Sequence, residues 1–497
     1  MSYEVVVVGA GIGGLTVAAI LAARGMSVCL LEKEARPGGC IAGFQKFGYD
    51  FEATAALYAS WQPGGIHERV FAELPVAAPE VRKLITPYVV RLPDGTQIAL
   101  TENDAEFEAN LRAAFPECAD AAINFYREIE PIGEALRRVA DRAPDLPTAS
   151  RLRRLKAIAP EARIAARVMS AMGHTTAEHL AGTSNRFRRF IDVQLQMFAQ
   201  CASETCAYLY AAVALMIPRR GMHAMRGGGR ALADSLLAAI NKSGGTVRLN
   251  TPVLRLSYDA SGGARGVDLL SGETVEATRA IISNLPVWDT YGKLVGLNRT
   301  PDAVRLRLKN LRGWGAYLLF LGLDEEAAGR LPAEHVLALS DWHEGQAYNP
   351  EDSQLMFASA PAWDTRAPLH KRAVTVSTFT EPTQWFAFHE DEAEHEAQDQ
   401  LWLERCWARL HAALPELGAG VEVIETATPR TFYENTRRKL GMVGGVGQSL
   451  DVFGPHTLTH KTSLPNLLMV GDTTFPGQGV AAVTHSALIV ANELKSK

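Results

Sequence analysis

Four consecutive valines, Val5 to Val8, open the chain with no polar alternation. That is the pattern of a parallel strand covered on both faces. A helix is expected from about Gly13 to Arg24, with Leu15, Ala18, Ala19 and Ala22 at packing intervals and Gly25 as its stop. Ser27 to Leu31 is a second strand. From about Glu73 to Arg219 the reading is mostly helical, after a strand pair, Tyr88 to Leu92 and Gln97 to Leu100, turned by Pro93-Asp94-Gly95. Cys201 to Pro218 is the longest apolar helix candidate of that region. Gly227 to Ile240 predicts another helix, and Gly244 to Val253, Arg255 to Tyr258, Gly266 to Leu270 and Ala280 to Asn284 predict strands. Between Trp288 and Glu425 the pattern becomes that of an antiparallel sheet, with strands at Gly315 to Leu323, Leu355 to Ala360 and Ala373 to Thr380. A helix follows, opening at His389 to Glu396 and placing Leu403, Trp407, Leu410 and Leu414 on one face. A buried strand, Leu467 to Val470, and a small-residue helix, Val480 to Leu494, close the chain.

Composition narrows this picture rather than redirecting it. With 497 residues, 47% hydrophobic and 21% charged, the chain is long enough for more than one core. A net charge of -5 gives no reason to expect nucleic acid as a partner. The six cysteines are scattered, without C-x-x-C, and read as reduced thiols of a cytoplasmic protein. Cys201 and Cys206 fall off one helical face, which argues against a metal pair, and the acids around His389 and His395 read as a solvated helix start, so no metal is expected. With the first strand opening the sequence, no secretory leader is expected. The apolar run Ala207 to Ile217 is well short of the roughly 20 residues that span a bilayer.

The chemistry concentrates at the two ends. Gly9, Gly11 and Gly14 stand in G-x-G-x-x-G spacing between the first strand and helix. Such glycines allow the tight turn, the approach of a diphosphate to the backbone, and helix-to-strand packing. Glu32 ends the second strand at the offset where an acid accepts ribose hydroxyls. A dinucleotide with an unphosphorylated adenosine ribose is therefore expected, FAD or NAD. The binding set of this unit is Gly9, Gly11, Ile12, Gly13, Gly14, Glu32, Lys33, Gly38 and Gly39. At the other end, Asn466-Leu-Leu-Met-Val-Gly-Asp-Thr-Thr-Phe-Pro-Gly-Gln-Gly-Val480 supplies Gly471, Asp472, Gly479 and Val480. An acid at a strand end suits a ribityl hydroxyl, and backbone N–H groups at a helix start suit the charged edge of a reduced flavin.

The N-terminal fingerprint, Gly38-Gly39, the aromatic segment Gly48-Tyr49-Asp50-Phe51 and the closing V-G-D-T-T-F-P-G-Q-G-V together resemble the FAD-dependent phytoene desaturase, carotenoid isomerase and retinol saturase family. That family lies within the flavin amine-oxidase-like superfamily. The closing motif fits carotenoid isomerases better than bacterial phytoene desaturases or retinol saturases. Gly227 to Val253 resembles the second FAD-domain segment, where Val253 would meet adenine through its backbone. The chain departs from the pattern at Cys40, where many members carry Arg or Lys, at Glu52-Ala53-Thr54 in place of Asp-x-Gly, at Phe432 to Leu440, and at His485.

The resemblance selects FAD over NAD. It implies an α/β fold: a Rossmann-type FAD domain assembled from residues 1–72, 220–287 and 426–497, with an α+β substrate part from a mainly helical 73–219 and an antiparallel sheet in 288–425. It also implies an FAD-dependent oxidoreductase that desaturates, saturates or isomerises an apolar polyene or isoprenoid, its electron acceptor unspecified. The flavin carries the chemistry, and His485 is the acid–base candidate, ahead of Glu52, Tyr58 and Tyr433. Tyr208, Tyr210, Leu215 and Met216 are candidates for a tunnel wall. Two other readings share the architecture: a flavin amine oxidase acting on a C–N bond, and a non-catalytic FAD- or lipid-binding protein. Residues 137–169 interleave Arg137, Arg138, Arg142, Arg151, Arg153, Arg154, Lys156, Arg163 and Arg167 with Leu152, Leu155, Ile158, Ile164, Val168 and Met169, a composition that suits peripheral contact with an anionic membrane.

Overall fold

The computed structural model describes residues 2–343, 345–387 and 391–495. The valine run forms a strand, Ser2–Val8, at the centre of a seven-stranded sheet. It pairs in parallel with Val28–Leu31 on one side and with Thr274–Ser283 on the other. Thr246–Arg248 extends the sheet beyond Val28–Leu31, and Leu467–Met469 pairs in parallel with Ile281 to Ser283. The parallel core thus draws strands from three distant stretches of chain. Val5, Val6 and Val7 have no exposed surface, because helices cover one face and the Val253–Tyr258 meander with Trp288 and Tyr291 covers the other. The helix Ile12–Ala23 is buried nearly all round between the helices Gly228–Lys242 and Val480–Lys495. That explains why its sequence shows small and aliphatic residues without a polar face.

The second sheet also has seven strands, in the order Val421–Ala427, Gly315–Asp324, Lys371–Thr380, Gln354–Ser359, His335–Leu339, Val89–Arg91 and Gln97–Ala99. Its pairs are antiparallel except that of His335–Leu339 with Val89–Arg91, so the early hairpin belongs to the substrate sheet rather than to the helical region alone. The helix Glu392–Ala413 packs on this sheet through Trp402, Cys406 and Leu410; of the expected face Leu410 and Leu414 are buried, while Leu403 and Trp407 lie at its flank. Its start is capped by Asp391, and His389 lies outside the described residues.

Two expected elements are shorter than the pattern suggested. Cys201 to Pro218 is helical only over Tyr208–Ala214. The backbone of the preceding residues bonds elsewhere: the Cys206 carbonyl accepts from Thr176 N, and Ala207 N donates to the Gln448 carbonyl. Gly244 to Val253 is not one strand. Asn250 adopts φ +50° and Pro252 follows it, separating Thr246–Arg248 from Val253–Tyr258. The basic stretch forms the end of Ala119–Arg142 and two further helices, Arg151–Ile158 and Ala162–Ser170. No described helix is long and apolar enough to cross a membrane.

Candidate active site

A single cavity of about 1990 Å³ runs between the two sheets. At one end it is walled by Gly9, Gly11, Ile12, Gly13, Glu32, Lys33, Gly38, Gly39 and Val253, and further along by Gly471, Asp472, Gly479, Val480 and His485. Gly14 is the one residue of the expected set that does not line it. A Cβ there would collide with the Gly9 carbonyl, so Gly14 serves close packing of the helix on the strand turn. Small-molecule sites usually occupy roughly 300–1,000 Å³. This cavity therefore has room for a dinucleotide and a second molecule.

The glycine end is built for an anionic dinucleotide. Gly11 caps Ile12–Ala23 without a side chain, and no acid stands in the first helical turn, leaving the N–H groups and positive helix end open to a diphosphate. Cβ atoms on Gly11 and Gly13 would each stand 2.5 Å from the Asn284 amide, so only bare backbone fits beneath the ligand path. Glu32 is fixed by Ala10 N (2.6 Å) and Glu34 N (2.9 Å) at the strand end. The closing helix likewise has no acid in its first turn, and Gly479 before it holds φ +90°. The donor and acceptor chemistry thus suits FAD along its full length.

Three parts of the site were not legible in the motifs. Asn284, immediately after the strand Thr274–Ser283, packs its side chain among the fingerprint glycines and Gly471. Arg438, in the stretch departing from the family pattern, donates to the Met442 and Gly444 carbonyls (both 2.7 Å) and to Asp472 (2.9 Å). Burial is the largest influence on both charges and opposes each; it raises the Asp472 carboxyl above its usual range, whereas at Arg438 Asp472, Cys40 and Asp289 together outweigh it and reinforce the charge. The third is a buried network at Glu52. Its carboxylate accepts from Arg366 (2.8 Å), Gly229 N (2.9 Å) and the Tyr58 hydroxyl, and Arg366 also pairs with Asp364 (2.7 Å). Spacing along the chain gave no sign of these partners, since Glu52 and Arg366 lie 314 positions apart.

Residues 12–495 match the family described as flavin containing amine oxidoreductase. The chain belongs to this family. Among curated proteins it is similar to the chloroplastic prolycopene isomerases of Arabidopsis thaliana (25% identity over 99% of this chain and 82% of that one) and Daucus carota (23%, 99% and 80%). It is also similar to the human all-trans-retinol 13,14-reductase (23%, 99% and 85%). Among solved structures, putrescine oxidase bound to putrescine superposes with a TM-score of 0.65 at 16% identity, each chain covered in full. An oxidoreductase from Methanosarcina mazei superposes with a TM-score of 0.64 at 17% identity over 99% of this chain and 100% of that one. These structures share the fold. The protein is accordingly an FAD-dependent oxidoreductase of amine-oxidase fold.

The catalytic candidates separate by environment. His485 lines the cavity, and its Nε2 is buried without a partner among the described residues. Burial, then the nearby Arg69, lower its pKa to about 4, so it is a neutral imidazole. Glu52 is held by its ion pair away from any free role, and burial with the Glu52 charge pushes the Tyr58 phenol well above its ordinary value. Tyr433 lines the cavity beneath the cations of Arg437 and Lys293. Of the expected tunnel residues only Tyr210 reaches the wall; Tyr208, Leu215 and Met216 are packed into the helical core.

Proposed function

We propose that this flavoenzyme acts on C–C or C=C bonds of a long apolar polyene or isoprenoid lipid, by desaturation, saturation or redox-neutral cis–trans isomerisation. The observation that carries this reading is the apolar continuation of the FAD cavity. Beyond the glycine end its wall includes Met197, Phe198, Val213, Ile217, Met356 and Phe379, contributed by the helical region and the substrate sheet, with Gln200, Gln354, Thr378 and Gln448 among them. Bound FAD supplies hydride acceptance or donation at its ring. The chain's own part is to exclude water, to hold an extended apolar molecule in one orientation, and to keep the neutral His485 imidazole at the wall as a group able to accept a proton. The similarity to prolycopene isomerases and a retinol reductase over nearly the whole chain supports the same substrate class. Incubation of oxidised and of reduced holoenzyme with polyenes, followed by product mass, tests it. A loss or gain of two hydrogens, or an isomer of unchanged mass, is expected. Oxidation of amines with release of peroxide, and none of polyenes, would instead establish the amine oxidase reading that the shared fold allows.

The same reading includes peripheral membrane contact through residues 137–169. Leu152, Leu155 and Met169 are 63%, 66% and 65% exposed, beside Arg151, Lys156, Arg163 and Arg167, which form no ion pair among the described residues. Arg138 and Arg142, by contrast, are tied to Glu161. Leu136, Arg137, Ala140, Asp141 and Leu146 line the cavity from the same part of the chain. A water-insoluble substrate would then pass from bilayer to cavity without crossing bulk water.

A further inference from the structure

We infer that Arg438 is a cationic clamp on the FAD diphosphate, closing the site opposite the N-terminus of the first helix. Its guanidinium is a built feature. Nε and Nη2 are committed to the Met442 and Gly444 carbonyls and to Asp472, which fixes the plane of the group. Nη1 makes no hydrogen bond among the described residues, yet it is not enclosed by protein, and Arg438 lines the cavity. Its two remaining donors therefore face the ligand space. Its neighbours locate that space. Arg438 is paired to Asp472, next to Gly471, and a Cβ on Gly13 would lie 3.4 Å from Gly471 N. The Gly38 to Cys40 turn, on the other side, bridges Gly38 to Gly11 and brings Cys40 close enough to feel the Arg438 charge. The guanidinium thus stands where the first glycine turn, the helix start and the closing segment converge.

The Arg438 guanidinium and its partner Asp472 carry opposite charges and together add none to this corner. A diphosphate carries more negative charge than a helix N-terminus offsets alone, about half an elementary charge. A charge-assisted bond from a fixed guanidinium fits a phosphate oxygen in strength and geometry. The competing role is purely structural: Arg438 as counter-ion to Asp472 and tie of the 438–444 loop.

FAD dissociation from the holoenzyme, followed by flavin fluorescence on dilution, separates the two. Arg438→Met is expected to weaken FAD binding about 10- to 100-fold. Arg438→Gln keeps a donor for the loop carbonyls but no charge, and should weaken it over the same range should the Met variant not fold. Each is made also in the Asp472→Asn background, where no carboxylate charge remains to be neutralised. A loss of tenfold or more that persists there supports the clamp. If the Asp472→Asn background abolishes the loss, leaving less than about threefold, Arg438 is only the counter-ion and the clamp is overturned.

Discussion

Gly14, Asn284 and three histidines show how much each side chain's surroundings decide. The fingerprint glycines were legible in spacing, but their separate tasks were not. Gly14 packs against the Gly9 carbonyl, whereas Gly11 and Gly13 leave room at the cavity beside Asn284, an amide no motif announces. Gly14→Ala is expected to yield protein without bound flavin, because the helix must shift away from the turn; retention of a wild-type flavin spectrum would contradict this. Burial lowers the pKa of His67 to about 3 and those of His335 and His485 to about 4. Each folded-state value lies below the unfolded one near 6.5, so the unfolded chain binds more protons between them. The stability associated with these neutral rings is complete above about pH 6.5 and is lost as pH falls toward 4. Each histidine steepens that decline by about 1.4 kcal/mol per pH unit. His335 is buried with both ring nitrogens unpartnered among the described residues. His335→Phe should therefore flatten the fall of melting temperature between pH 6.5 and 4, and an unchanged slope would reject the assignment.

Among elements, the strands and helices with strong periodicity were legible, and those decided by long-range partners were not. The valine strand and its helix form as their pattern predicts, since an uninterrupted apolar run fits only a position covered on all sides, although the elements that cover them, Thr274–Ser283, Gly228–Lys242 and Val480–Lys495, are distant in sequence. Cys201 to Pro218 reads as a helix on apolarity alone, but its first residues give their backbone groups to Thr176 and Gln448. Glu52 looked like a departure from a family motif. In the fold it is a tie between the end of the strand Tyr49–Phe51, the start of Gly228–Lys242 and the loop holding Asp364 and Arg366. Arg366→Met would strand two buried carboxylates, and a stability loss of about 3–5 kcal/mol is expected, measured as a lowered unfolding midpoint. A variant as stable as the parent would show that the tie is not structural. For Arg151–Ile158 and its neighbour helix, replacing Leu152 and Leu155 by Glu should abolish flotation with anionic liposomes while leaving the flavin spectrum intact. Unaltered flotation would remove this face as the anchor.

At the scale of the whole molecule, three segments could be singled out for an FAD site because they carry glycines and acids whose chemistry is tied to position. The substrate half was not, because an apolar tunnel needs only aliphatic and aromatic side chains, which any core also needs. Only the fold shows that Phe198, Ile217 and Met356, far apart in sequence, share the wall of one cavity with Gly479 and Val480. The joining of a dinucleotide track to an apolar chamber is what the functional proposal depends on. Anaerobic titration of the holoenzyme, followed by flavin absorbance, tests that join most directly. If the chamber presents a polyene or isoprenoid chain to the flavin, such a substrate must perturb or bleach the oxidised band, or re-oxidise or perturb the reduced one. If neither form responds to any polyene while an amine bleaches the oxidised flavin, the chamber serves C–N chemistry and the account is wrong.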